Sequence, residues 1–144
     1  MATSNAATTY LENKLLSLIF KNNAGSFSSP GDSIYVGLAT AASLADAEAG
    51  TVTEATFGAY ARQQVTAANW TLTSSSQDQQ TVTNAAAIEF SASTGTDNTI
   101  THAFLADAAS SGNILFVGAL DNDKTIETGD IFRFNASNLT IELK

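Results

Sequence analysis

From Ser33 to Leu143 the apolar residues recur mostly at a spacing of two, in runs that Gly, Asn, Asp or Ser cut short before helical length. That spacing suits strands, because successive side chains of an extended chain point to opposite faces. Ile34, Val36 and Leu38 alternate with Tyr35 and Gly37, and Ile100, His102 and Phe104 alternate with Thr101, Ala103 and Leu105. Tyr60 to Thr66, Trp70 to Leu72, and Val82, Ala86, Ile88 and Phe90 around Asn84 add further strand-like runs. The densest part is Asn113 to Lys144. There Ile114 to Leu120 is apolar at nearly every position, as in a strand covered on both faces, and Ile131 to Phe134 and Leu139 to Leu143 alternate. These three runs predict a closing β-meander with Asp121-Asn122-Asp123 as a hairpin turn. The whole pattern predicts a mainly β chain, an antiparallel β-sandwich or jelly-roll-like barrel of about eight strands over residues 33–144. A length of 144 residues fits one such domain with one core.

The start of the chain follows another rule. Leu11, Leu15, Leu18 and Ile19 fall on one face of a helix over about residues 10–21, with Leu16 and Phe20 widening that face. Thr9 and Glu12 have capping-box spacing, and Asn22 to Gly25 supply a stop, followed by a Pro30-Gly31 turn. So apolar a helix is expected to cover an edge or a face of the sheet. Residues 1–9 are small, polar and aperiodic, which predicts a flexible arm able to order against a neighbour, ahead of a single domain over 10–144. Ala41 to Glu54 predicts a loop with a helical turn near Ala41 to Ala47 and solvated acids at Asp46, Glu48 and Glu54.

Composition removes most chemistry. A net charge of −8 opposes nucleic-acid binding, which needs clustered Lys and Arg. With no cysteine there is no disulfide and no thiolate metal site. The polar N-terminus lacks a secretory signal, and Leu15 to Phe20 is far shorter than the roughly 20 apolar residues of a membrane span. His102 is the single histidine, expected on a strand at a surface or interface. Asp121 to Asp123 opens like a calcium loop, yet Ile126 stands where the loop needs glycine and Phe132 where it needs glutamate. Gly112, Gly118 and Gly129 lack phosphate-loop spacing. The triplets at Asn69, Asn135 and Asn138 match the glycosylation pattern, as chance allows in a chain rich in Asn and Thr. One Trp and three Tyr offer Trp70 and Tyr60 as the start of a glycan site and suggest no aromatic-lined cleft for paired carboxylates. The expectation is therefore no enzyme, no cofactor and no metal.

Several blocks together carry a resemblance. Tyr10-Leu11-Glu12-Asn13-Lys14-Leu15-Leu16, Ile34 to Thr40, Tyr60-Ala61-Arg62-Gln63, and Leu115-Phe116 to Gly118 with Gly129-Asp130 and Phe132-Arg133-Phe134 resemble small virion proteins of tailed bacteriophages. Relatives of this kind are often catalogued as tail-fibre-like, and some resemble capsid decoration (cement) proteins that sit as trimers on the outer shell. The resemblance implies a structural protein of the outer head that joins neighbouring copies of the major capsid protein and is itself a homotrimer. It implies a tail or tail-fibre component as the alternative. An interface of Thr3, Asn5, Thr8 and Tyr10 on the arm, with Tyr60 and Arg62 on the domain, is expected. Arg62 is singled out because basic residues are few and its planar fork suits carboxylates and carbonyls. The loop before Tyr60 is Ala-rich and acidic without proline, so loop surfaces of relatives do not transfer.

Overall fold

The computed structural model describes residues 6–21, 34–76 and 79–143, with backbone only for 73–76, 79–80 and 143. Thr3 and Asn5, the helix stop at Asn22 to Gly25, the Pro30-Gly31 turn and Lys144 lie outside the described residues. In chain order the elements are β1 (Ala6–Ala7), α1 (Thr9–Lys21), β2 (Ile34–Ala41), α2 (Leu44–Ala49), β3 (Thr53–Glu54), β4 (Gln63–Val65) and a 3-10 turn (Ala67–Asn69). There follow β5 (Trp70–Ser76), β6 (Gln79–Asn84), β7 (Ile88–Glu89), β8 (Asn98–Ala106), β9 (Ile114–Ile126), β10 (Arg133–Phe134) and β11 (Thr140–Leu143). All pairings are antiparallel. The chain is mainly β, a curled half-barrel sheet with an N-terminal helix, which is the class the sequence predicts.

The main sheet runs β1-β9-β8-β2-β3 with β4 also on β2; β11-β6-β5 and β10-β7 form two smaller sheets. β8 is central because both of its faces are apolar: Ile100, Ala103 and Leu105 join one core, Phe104 and Ala106 another. The larger core holds Val36, Leu38, Phe57, Ile88, Phe90 and Phe132 between the curled sheet and the smaller sheets. Its aromatic rings form a chain, Phe57 to Tyr60 to Phe90 to Phe132 to Phe134, with centroids 5.1–6.0 Å apart. The smaller core, Ala39, Ala47, Phe104, Ala106 and Val117, is made of small residues so that α2 can lie close to the sheet. Gly37 is needed there, since a Cβ at that position would stand 2.2 Å from Phe104 Cζ. Helix α2 is fixed at both ends. Asp46 N–H donates to Ser43 Oγ (3.1 Å), Ser43 N–H donates to the Asp46 carboxylate (3.0 Å), and Gly50 closes the helix at φ 72°.

Four expectations change. The closing meander does not form, because β9, β10 and β11 pair with β8, β7 and β6 in three different sheets. Neighbourhood in sequence fixed the strands but not their partners. Asp121 to Asp123 is not a hairpin turn. His102 faces Ala119 while Ile100 faces Lys124, so residues 120–123 bulge out of β9 opposite Thr101, and polar residues suit that exposed kink. The run Val82 to Phe90 is two strands, β6 and β7, broken after Asn84. Tyr60 to Thr66 contributes only Gln63–Val65 to the sheet, and Tyr60 lies in the turn before it.

Asn84 explains its break. It is fully buried, and its amide donates to Ala86 O (2.8 Å) and Asn135 O (2.9 Å) while its Oδ1 accepts from Leu139 N–H (2.9 Å). A single side chain thus ties β6 to the segment before β11 and satisfies backbone groups that leave the ladders.

Candidate assembly surface

Helix α1 departs from the sheet at a rivet. Thr8 is fully buried, its hydroxyl donates to Ile114 O (2.7 Å), and its N–H donates to Leu115 O (2.9 Å). The same Oγ1 accepts from Leu11 N–H (3.3 Å), so Thr8 rather than Thr9 is the cap. Ala6 and Ala7 pair with Val117 and Phe116, so residues 6–8 are part of the domain and do not belong to a flexible arm. Small residues beside the long strand β9 could not show this by periodicity, because two residues are too short to have one.

Beyond the cap, α1 does not do what its pattern predicts. None of its residues is buried. Leu15, Leu16, Ile19 and Phe20 are exposed by 41, 54, 60 and 75%, while Leu11 and Leu18 are half-buried toward the body. Leu15 with Ile19, and Leu16 with Phe20, stand one turn apart and form one continuous apolar strip. Tyr10 is half-buried with Lys14 over its ring at 5.6 Å. Finishing the burial of four half-exposed side chains of this size is worth roughly 3–6 kcal/mol. A strip of this kind on a soluble surface marks a place of contact.

Tyr60 and Arg62 are inside the molecule instead. The Arg62 side chain is 7% exposed. Its Nε and Nη2 donate to the Glu54 carboxylate in a bidentate pair, both at 2.8 Å, and Nη1 donates to Ala108 O (2.9 Å) and Ser111 O (2.8 Å). The guanidinium lies 5.0 Å from the centroid of the Phe104 ring that covers Gly37. Tyr60 donates its hydroxyl to Glu54 Oε1 (2.8 Å) and accepts from Leu38 N–H (3.0 Å), with its ring stacked on Phe90. Burial would raise the Glu54 carboxyl, but hydrogen bonds from Arg62 and Tyr60 and the charge of Arg62 outweigh it and hold it below the usual range. Burial, with Glu54 beside it, drives the Tyr60 phenol well up. Glu54 is therefore no solvated loop acid, and Arg62 is neither an exposed strand charge nor an available contact. The fork was the right signal and the partner was internal: a carboxylate eight positions upstream.

His102 is buried, at 8% exposure, and not at a surface as expected. Its Nδ1 lies 2.6 Å from Thr101 Oγ1 and its Nε2 has no partner. Burial lowers its affinity for a proton, while the charge of Asp123 acts the other way. Trp70 and Tyr60 both pack, partly buried, against the large core. Among the described residues no three His, Asp or Glu side chains are placed to hold a metal ion, and no helix is long and apolar enough to cross a membrane.

Residues 6–142 match the family described as podophage GP4 fiber I protein gp80. The chain belongs to this family. It is accordingly a phage virion structural protein, of the tailed-phage kind that its blocks resemble. No curated protein matches it. In this fibre-protein family member, the match begins at β1 and takes in α1, so the exposed helix belongs to the shared domain and is not an appendage before it.

Proposed function

We propose that the protein is a structural subunit of the fibre apparatus of a phage, and that copies of it join through the apolar strip of α1. The strip is the observation that carries this reading: Leu16, Ile19 and Phe20 are each more than half exposed on a helix that the other described residues leave uncovered. The family description favours the fibre over decoration of the head. The strip itself is uncharged, so like copies can meet there without the repulsion that a net charge of −8 sets up over the rest of the surface. Three copies about an axis is the expected arrangement. No step of catalysis is needed for this role, and the most elaborate polar cluster, around Arg62, is closed within the fold.

Sedimentation of the purified chain tests the surface. The wild type is expected to run as a discrete oligomer, and Leu16→Ser with Phe20→Ser as a folded monomer; an oligomer unchanged by both substitutions overturns the role of α1. Immunogold labelling of intact particles tests the location. Label over the tail and its fibres supports the proposal, and label spread over the head shell, with the major capsid protein as partner, overturns it.

A further inference from the structure

Beside β9 the described residues leave an open groove of about 870 Å³ between the main sheet and the segment around β10 and β11. Phe116 and Leu120 of β9 stand on one side of it and Leu139 and Ile141 on the other, all four half-buried against the large core. Its walls are apolar and incompletely covered, as the strip of α1 is.

We propose that this groove receives the apolar strip of α1 from a second copy of the chain, so that copies join head to tail, helix into groove. The inference rests on the reading of α1 as the surface through which copies meet, and adds the surface it meets. The two patches lie on opposite faces of the main sheet. Thr8 ties the start of α1 to Ile114, and the helix touches α2, whose Ala47 lies in the small core. The half-buried groove residues pack on the large core instead. A helix riveted on one face does not reach the groove on the other, so each groove is filled by another copy's helix. An interface between two different patches is heterologous, and it closes into a ring where the rotation between copies allows. Three copies, each giving its helix to the next, leave neither patch uncovered.

Size and charge favour this occupant. Leu15 to Phe20 rise about 8 Å along the helix axis, and Phe116 to Leu120 extend about 13 Å along β9, so the strip with its side chains fits the length of the wall. The charged residues lining the groove, Asp121, Lys124, Arg133 and Glu142, are two acids and two bases, so it is neutral in a chain of net charge −8. Helix α1 carries Lys14 and Lys21 against Glu12, a surplus of one positive charge that an acidic neighbour attracts. Packing strip against strip would set two like-charged helices side by side. Helix into groove instead lets Lys21, at the end of the strip, approach Asp121, at the end of the β9 wall.

Two measurements on the full chain separate this contact from the reading beneath it. Leu120→Glu puts a charge on the groove wall, and in sedimentation it is expected to raise the concentration for half-association roughly tenfold or more, as loss of a buried anchor does. A wild-type monomer, or an oligomer indifferent to Leu16→Ser with Phe20→Ser, overturns the role of α1 and this inference with it. An oligomer that requires the helix but is unchanged by Leu120→Glu overturns the groove alone. Photo-cross-linking supplies the second readout, for the case in which Leu120→Glu disturbs folding. Benzoylphenylalanine in place of Phe20, in an equal mixture of isotope-labelled and unlabelled chains, is expected to bond on illumination to residues 116–120 or 139–141 of another copy. Cross-links to the strip of another copy, or only within one chain, overturn the groove as its seat.

Discussion

Two regions of this protein invert the usual placement of side chains. Around Arg62 a cation, a carboxylate and a phenol are packed inside; along α1 four large apolar side chains face outward. The inside cluster is complete, with each guanidinium nitrogen engaged by Glu54 or by the carbonyls of Ala108 and Ser111. The outside strip is incomplete, since among the described residues no element covers it. The difference teaches where free energy remains to be gained. A satisfied buried cluster holds the fold and has nothing left to offer a partner, whereas an uncovered apolar face contributes little to the fold and gains by association.

The comparison breaks most readily at the buried cluster. Arg62→Ala leaves Glu54 and the carbonyls of Ala108 and Ser111 without their donor, and is expected to cost about 3–5 kcal/mol of stability, read from urea unfolding. Arg62→Lys keeps the charge but loses the fork, so it should recover only part of that loss. A loss below about 1 kcal/mol for Arg62→Ala would place the cluster among ordinary surface pairs. Asn84→Ala removes the three hydrogen bonds that this buried side chain makes to the backbone and is expected to cost about 2–3 kcal/mol by the same assay, with β6 and β11 exchanging faster.

Acid should reveal the same asymmetry. Glu54 has a lowered folded-state value, so its contribution is present above the ordinary carboxyl value of 4.5 and is lost as pH falls below it. His102 is likewise lowered, chiefly by burial, so the fold holds it neutral and loses stability as pH drops below its ordinary value of 6.5. Thermal unfolding followed from pH 7.5 to 4 should thus show a first decline beginning near 6.5 that His102→Gln flattens, and a second near 4.5 that Glu54→Gln flattens. A decline near pH 6.5 of equal slope in His102→Gln would assign it to another group.

The smallest effect on stability belongs to α1. Leu16→Ser and Phe20→Ser are each expected to change the stability of the dissociated chain by no more than about 0.5 kcal/mol. Their loss should appear in association instead, which is what separates an assembly face from a core face. A drop of about 2 kcal/mol or more in the dissociated chain would show that the helix is packed internally.

How much of this was legible before the structure differs from residue to residue. The strand pattern through Ile34 to Leu38 and Ile100 to Leu105 reads directly, because period two is a local property of an extended chain. The helix reads just as well from Leu11 to Phe20, and its cap is missed by one residue only because Thr8 and Thr9 are chemically alike. Which face of α1 is covered does not read at all. A helix pattern gives the direction of its apolar side chains and says nothing of what stands opposite. Arg62 failed in the same way: its need for a carboxylate was plain, but its distance to Glu54 in space was not. Asn84 carried a signal, a polar amide in the middle of an apolar parity, that marks a strand break once burial is known.

By itself, then, the sequence determined the class of the fold, the single helix at the start, the absence of cysteine chemistry and the kinship with virion proteins of tailed phages. These follow from spacing and composition, which each short segment carries alone. The tertiary structure decided strand partners, the inward turn of Arg62, Tyr60 and His102, and the outward turn of Leu15, Leu16, Ile19 and Phe20. Those depend on contacts between segments far apart in the chain, and burial is a property of the whole molecule that no single segment possesses.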